Sequence, residues 1–223
     1  RLTVTDSNEL TGTDDVVISV AEVEAIEAKF NFNATAQSVA EWVDVSGNPW
    51  AAEITSSVYP GTNYFIKTKR LNASSVNIWG TVDGSTSSNN SVGQTTGNNS
   101  GAFPDNVLLS NAFTTDQVYA PGNEQIEVHG CDPEASYTIK AIGSRVASAV
   151  PLSSRLMDWR CVDANETQLI EDYNAKGNKD NLAIFTGRVA DENGIIKIAI
   201  TRPEPTSSDH RFGYCNGLTI KKE

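Results

Sequence analysis

Three observations predict an all-β fold. Low-charge runs rich in Val, Ile, Thr, Tyr and Phe recur along the chain, as in Tyr137-Thr-Ile-Lys-Ala-Ile142 and Ile195-Ile-Lys-Ile-Ala-Ile200. Gly, Asn, Ser, Pro and Asp separate these runs, and no segment of helical length sustains an i, i+3, i+4 apolar stripe. Eight or more short strands with Gly- or Pro-bearing connections then point to a double-sheet antiparallel β-sandwich of jelly-roll type.

Taken in order, residues 1–20 alternate apolar and polar side chains on both sides of Ser7-Asn8-Glu9, the period-two pattern of a β-hairpin. Residues 21–27 are expected to be an extended linker, since three glutamates alternating with Val and Ile fit a strand better than a helix. The first sandwich strand begins at Ala28 and runs into Lys29-Phe-Asn-Phe32, so the main domain is placed at 28–223. Further strands are expected near 51–58, 64–69, 74–82, 106–113, 124–130, 136–143, 155–163, 167–173, 181–189, 194–201 and 211–221. Turns are marked by Cys131-Asp-Pro-Glu134 and by Asp191-Glu-Asn-Gly194. The run from Asp83 to Gly101 is low in complexity and must be surface, because nothing in it can build a core. No repeat with a period of 20 to 50 residues is present.

Composition narrows the function classes. Lys and Arg number 17 against 28 Asp and Glu, a net charge of −11, and no basic stripe could neutralise a row of phosphates. Nucleic acid and membrane insertion are therefore not expected; the longest apolar runs are a few residues, against the ~20 needed to cross a bilayer. Cys131, Cys161 and Cys215 lack Cys-x-x-Cys or Cys/His spacing, which argues against zinc. They allow one disulfide of undetermined pairing, or three small buried apolar side chains.

The opening hairpin resembles the closing hairpin of a polycystic kidney disease (PKD) domain, an immunoglobulin-like module of secreted bacterial polysaccharide-degrading enzymes. From about Ala28 to Ile220 the order of Phe30-Asn-Phe-Asn33, Gly97-Asn-Asn-Ser-Gly-Ala-Phe-Pro-Asp-Asn-Val107, Tyr137-Thr-Ile-Lys-Ala-Ile-Gly-Ser-Arg145, Asp191-Glu-Asn-Gly194 and Phe212-Gly-Tyr-Cys-Asn-Gly-Leu-Thr-Ile220 resembles a jelly-roll, carbohydrate-binding-like accessory domain of such proteins. Together these pieces span nearly nine tenths of the chain. The resemblance implies a noncatalytic module, secreted or at a bacterial cell surface, that binds a plant cell-wall polysaccharide beside a glycoside hydrolase or esterase domain of the same parent chain. It implies at most one cofactor, a structural calcium, for which no EF-hand spacing exists. A start without Met and a single internal Met157 fit a piece of a larger extracellular protein.

Sugar recognition needs an aromatic face for the C–H face of a pyranose, and amide, guanidinium or carboxylate groups for adjacent hydroxyls. Trp42, Trp50, Trp79 and Trp159 are the candidate platforms, although a sandwich of this size also buries one or two Trp in its core. Trp159 is favoured, because Arg155-Leu-Met-Asp-Trp-Arg160 sets it among charges. Asn98, Asn99, Asp105, Asn106, Arg145, Arg155 and Tyr214 are the candidate polar partners. Arg145 and Arg155 could converge into a fork for a carboxylate or vicinal diol, or each could pair with Asp158 or Glu134. Asp209-His210 invites comparison with an esterase acid and base, but no Gly-x-Ser-x-Gly elbow supplies a nucleophile. His129, inside an apolar strand, is expected to pack. A spacer without sugar binding, and a carbohydrate-active hydrolase, remain the alternatives.

Overall fold

The structure is a computed structural model and describes residues 4–5, 11–12, 25–33, 39–46, 53–69, 76–77, 93, 95–109, 112–115, 119–146, 155–203 and 212–223. In chain order its elements are β1 (Val4–Thr5), β2 (Thr11–Gly12), β3 (Glu27–Asn33), β4 (Val43–Ser46), β5 (Glu53–Thr55), β6 (Phe65–Lys69) and β7 (Val76–Asn77). A single helical turn α1 (Asp105–Leu108) follows, then β8 (Ala112–Thr115), β9 (Ile126–His129), β10 (Ser136–Ile142), β11 (Leu156–Val162) and β12 (Thr167–Asn174). The chain ends with β13 (Ala183–Val189), β14 (Ile196–Thr201), β15 (Phe212–Cys215) and β16 (Gly217–Lys222). The prediction of an all-β sandwich is met.

Two sheets make the body: a five-stranded one ordered β13-β10-β16-β3-β4 and a six-stranded one ordered β12-β11-β14-β9-β6-β5. Successive side chains on a strand point to opposite faces, and here one face of each sheet meets the other in a shared core. Phe30, Phe32, Ile139, Phe185 and Ile220 enter it from the five-stranded sheet; Ile66, Val128, Trp159 and Ile198 enter from the six-stranded one. The turns seen in the sequence carry the chain between sheets rather than closing hairpins within one. Asp132–Ala135 leads from β9 to β10, its Asp132 carbonyl accepting the Ala135 amide at 3.1 Å. Asp191–Gly194 leads from β13 to β14, and Gly194 adopts φ 73° where an added Cβ would lie 2.5 Å from the Cys131 carbonyl oxygen.

Several expectations are refined. β1 and β2 pair antiparallel, as the opening alternation requires. Glu27, assigned to the linker, is the first residue of β3. β4 was not anticipated and joins β3 in parallel, with Phe30 opposite Val43, an exception to the antiparallel rule. The stretch expected as a strand at 106–113 begins as α1, and the strand there is β8. The final expected strand, 211–221, is broken at Asn216 into β15, in a three-stranded sheet ordered β15-β8-β7, and β16 in the five-stranded sheet. No described helix is long and apolar enough to cross a membrane.

The outward face of the five-stranded sheet is partly roofed. Phe103, Val107 and Leu108, from the loop preceding α1 and from α1 itself, bury themselves on Ile142 as a second small core, with Val39, Trp42 and Leu182 packed at its margin. The roof sits directly on Gly217, where a Cβ would come within 2.6 Å of the Val107 methyl Cγ1 and about 3.0 Å of the Phe103 ring. Asn216, fully buried beside it, donates to the Leu108 carbonyl at 3.1 Å and accepts the Ser144 amide at 2.6 Å. Backbone groups that the roof would otherwise leave unpaired are thereby satisfied.

Candidate functional site

Trp42 stands at the margin of this roof, beside the outward face of the five-stranded sheet. A turn in which the Trp42 amide donates to the Val39 carbonyl at 3.0 Å presents the ring, and Glu41 within it takes a left-handed φ of 65°. A non-glycine residue in that region is held by its surroundings at a local cost. Here the Tyr59 hydroxyl donates to the Glu41 carbonyl at 3.0 Å, and the Glu41 carboxylate meets the Lys29 ammonium at 2.8 Å. That contact holds the Glu41 carboxyl below the ordinary glutamate range and raises the Lys29 ammonium.

Trp42 is partly exposed, with Phe103 edge-on to it at 4.9 Å between centroids. It borders two depressions. One, of about 450 Å³, is shared with Ile26, Glu41, Val43, Tyr59 and Pro60. The other, of about 250 Å³, runs along the sheet face and includes Phe103, Glu27, Lys29, Lys140 and Thr219. Register fixes the polar row: Lys140 lies opposite Thr219, and Thr219 opposite Lys29, on three adjacent strands. Glu27 accepts the Thr219 hydroxyl at 3.0 Å and faces the Lys140 ammonium at 3.5 Å. An aromatic edge, two ammonium groups and two carboxylates therefore border these depressions, around a Thr219 that is itself 4% exposed and already bonded to Glu27; ring, ammonium and carboxylate are what hydroxyl-rich ligands require. Lys29, Glu27, Lys140, Thr219 and Tyr59 went unnoticed in the sequence; the alternation of Glu27 and Lys29 with Ala28 and Phe30 was the available signal, since it sets both charges on the solvent side.

Trp159, the favoured platform, is instead 0% exposed and packs edge-on to Tyr173, 5.9 Å between centroids. Its charged neighbours misled: Asp158 and Arg160 leave the opposite face of β11, where they pair with each other at 3.4 Å, while Met157, Trp159 and Cys161 point inward. Tyr214 is likewise buried, at 2% exposure, and offers no surface contact. Asn98 and Asn99 are exposed, but the Asp105 carboxylate is engaged inside its own loop, accepting the Thr96 amide at 2.7 Å, the Thr96 hydroxyl at 2.9 Å and the Asn99 amide at 3.2 Å. These three residues shape the roof's loop rather than join the Trp42 surface. Asn106 is exposed on α1. Trp50, Trp79 and Asp209-His210 lie outside the described residues.

Arg145 and Arg155 do converge, though not on Asp158 or Glu134. Arg155, 7% exposed, donates from Nη1 to the Tyr214 hydroxyl at 2.9 Å, and the Arg145 guanidinium carbon lies 5.3 Å from the Tyr214 ring centroid. Asp158 belongs to Arg160, and Glu134 is exposed.

His129 packs flat on Phe65, 4.9 Å between centroids, and meets Glu127 at 2.9 Å, an outer-face cluster that also holds Lys69. The three cysteines are free and buried, so the disulfide alternative is set aside in favour of small apolar packing. Among the described residues no three His, Cys, Asp or Glu side chains gather in a way that could hold a metal ion. Comparison with protein-family models, with curated proteins and with solved structures yields no match.

Proposed function

We propose that this chain is a noncatalytic glycan-binding module that docks a polysaccharide on the Trp42 surface. The observation that carries the reading is the indole of Trp42 bordering two depressions beside a row of hydroxyl-pairing groups, Lys29, Lys140 and Glu27. A partly exposed aromatic of this kind stacks on a sugar's C–H face, and alternating ammonium and carboxylate groups satisfy its hydroxyls in pairs. Both depressions are partly open to solvent, which suits a chain that runs across the surface and is held weakly. In a secreted protein that also carries a hydrolase or esterase domain, tethering such a weak site would raise the local concentration of substrate without touching the chemistry. Plant cell-wall glycans are the expected ligands.

Affinity electrophoresis of the full chain against xylan, pectin and cellulose tests this. Retardation in at least one gel, removed by Trp42→Ala, supports it; unretarded migration in all three overturns it in favour of a spacer. The burial of Trp159 is the observation on the spacer's side.

A further inference from the structure

We infer that Arg145 and Arg155, packed about the buried Tyr214, form a second site, which takes the carboxylate of an acidic sugar. This inference rests on the glycan reading for the identity of the ligand, and on the arginine geometry for the site.

The backbones of the pair are tied to one segment. The Arg145 amide donates to the Ala175 carbonyl at 2.8 Å, and the Arg145 carbonyl accepts the Gly177 amide at 2.8 Å. One step along the same segment, the Arg155 carbonyl accepts the Ala175 amide at 2.9 Å, and the Arg155 amide donates to Asn174 Oδ1 at 3.0 Å. Residues 174–177 thus clamp both arginine backbones from between, and the side chains meet at Tyr214: one on its hydroxyl, one at its ring.

Among the described residues the pair has no anion beside it. A guanidinium keeps its proton at any ordinary pH, so both side chains are cations. Burial opposes the charge on Arg145, and the neighbouring Arg155 charge opposes it further; the Tyr214 side chain acts in the opposite sense. Two other arginines have carboxylates: Arg160 has Asp158 at 3.4 Å, and Arg188 has Asp163 at 3.3 Å and Glu166 at 3.0 Å. Neither Arg145 nor Arg155 forms such an ion pair among the described residues, and the buried Nε of each has no hydrogen-bond partner. Two cations side by side, with no described carboxylate between them, are costly unless a ligand supplies the countercharge. The donors left over, planar and forked, match a carboxylate, which accepts two parallel N–H bonds. The chain's net charge of −11 confines attraction for anions to local positive centres of this kind. Among glycan substituents, the carboxylate of a uronic acid fits.

The test is titration of the full chain with galacturonate, glucuronate, glucose, acetate and inorganic phosphate, read by the arginine Nε–H resonances and by calorimetry. Saturable shifts of both Nε–H signals with a uronate, and none with glucose, are expected, with at least tenfold weaker uronate binding in Arg155→Lys and in Arg145→Lys. No saturable uronate response, a response to acetate or phosphate alone, or uronate binding unchanged in both variants overturns the site. Retardation of neutral polysaccharide by the Trp42 surface is read on the same variants. If it persists while the uronate response is absent, the second site fails and the glycan reading stands. If Trp42→Ala leaves every polysaccharide's retardation intact while uronate still shifts the arginines, the reverse holds.

Discussion

The Trp42 ring stands edge-on to Phe103, with an interplanar angle of 64°, and so joins the solvent-facing aromatic to the roof that Phe103 anchors over the five-stranded sheet. Platform and roof are therefore one packing unit. Phe103 is 5% exposed, and removing its ring leaves a cavity next to Ile142 and Gly217. Phe103→Ala is expected to cost about 3 kcal/mol or more, in the range of large-to-small core substitutions, and to weaken polysaccharide retardation as well. Trp42→Ala, at the exposed margin, should abolish retardation at a smaller cost. Urea denaturation beside affinity electrophoresis separates the two; equal stability losses would contradict the assigned places of the two rings.

Gly217 is required by contact, not by conformation. A methyl group there would sit 2.6 Å from Val107 Cγ1, inside van der Waals distance, so the roof has to lift. Gly217→Ala is expected to destabilise by roughly 1–3 kcal/mol, as overpacking does. The companion Val107→Ala removes the opposing methyl, so the double variant should recover part of the loss. A double-mutant cycle by thermal denaturation checks this, and strict additivity would mean that the two residues do not touch.

How far the sequence carried this picture follows from which physics is local. Strand identity and inward alternation were legible because period-two burial is written in adjacent residues, as in Tyr137, Ile139 and Ala141 of β10. Trp159 was misplaced by the same rule applied too loosely, since its charged sequence neighbours Asp158 and Arg160 belong to the other face. The parallel pairing of β4 with β3 was not legible: a four-residue strand carries no signature of direction. Trp42 was named but its setting was not, because Lys140 and Thr219 reach it only through pairing across three strands. Arg145 and Arg155 were suspected of converging, and their common hinge on residues 174–177 could be seen only in the fold.

Acid should loosen the roof's loop. Hydrogen bonds from the Thr96 backbone, then from the Thr96 hydroxyl and the Asn99 and Gly97 backbones, hold the Asp105 carboxyl below its ordinary value of 3.8. A depressed carboxylate pKa stabilises the folded form above the unfolded pKa and loses that contribution as pH falls through the folded one. The loss therefore falls below about pH 4, and neutral pH leaves the loop closed. In NMR the Thr96 and Asn99 amides should titrate together with an apparent pKa under 3.8, and the transition should vanish in Asp105→Asn. Titration of these amides at or above the ordinary aspartate value would contradict the hydrogen bonding described.

The thiols give the last prediction. Reaction with a disulfide reagent requires thiolate and access, and all three cysteines are denied both. Burial raises the Cys131 thiol to about 12, with the nearby Asp191 charge adding to it; it raises Cys161 further and Cys215 well above the ordinary thiol value. At pH 8 the native chain should therefore release almost no chromophore from a thiol-reactive disulfide, while the urea-unfolded chain releases three equivalents. A disulfide between any two would leave only one equivalent after unfolding. Rapid reaction of the native chain would show that the strands bearing Cys161 and Cys215 open readily. The rate of the slow native reaction should then follow the unfolding equilibrium as urea is raised, because exposure of these side chains requires the sandwich itself to part.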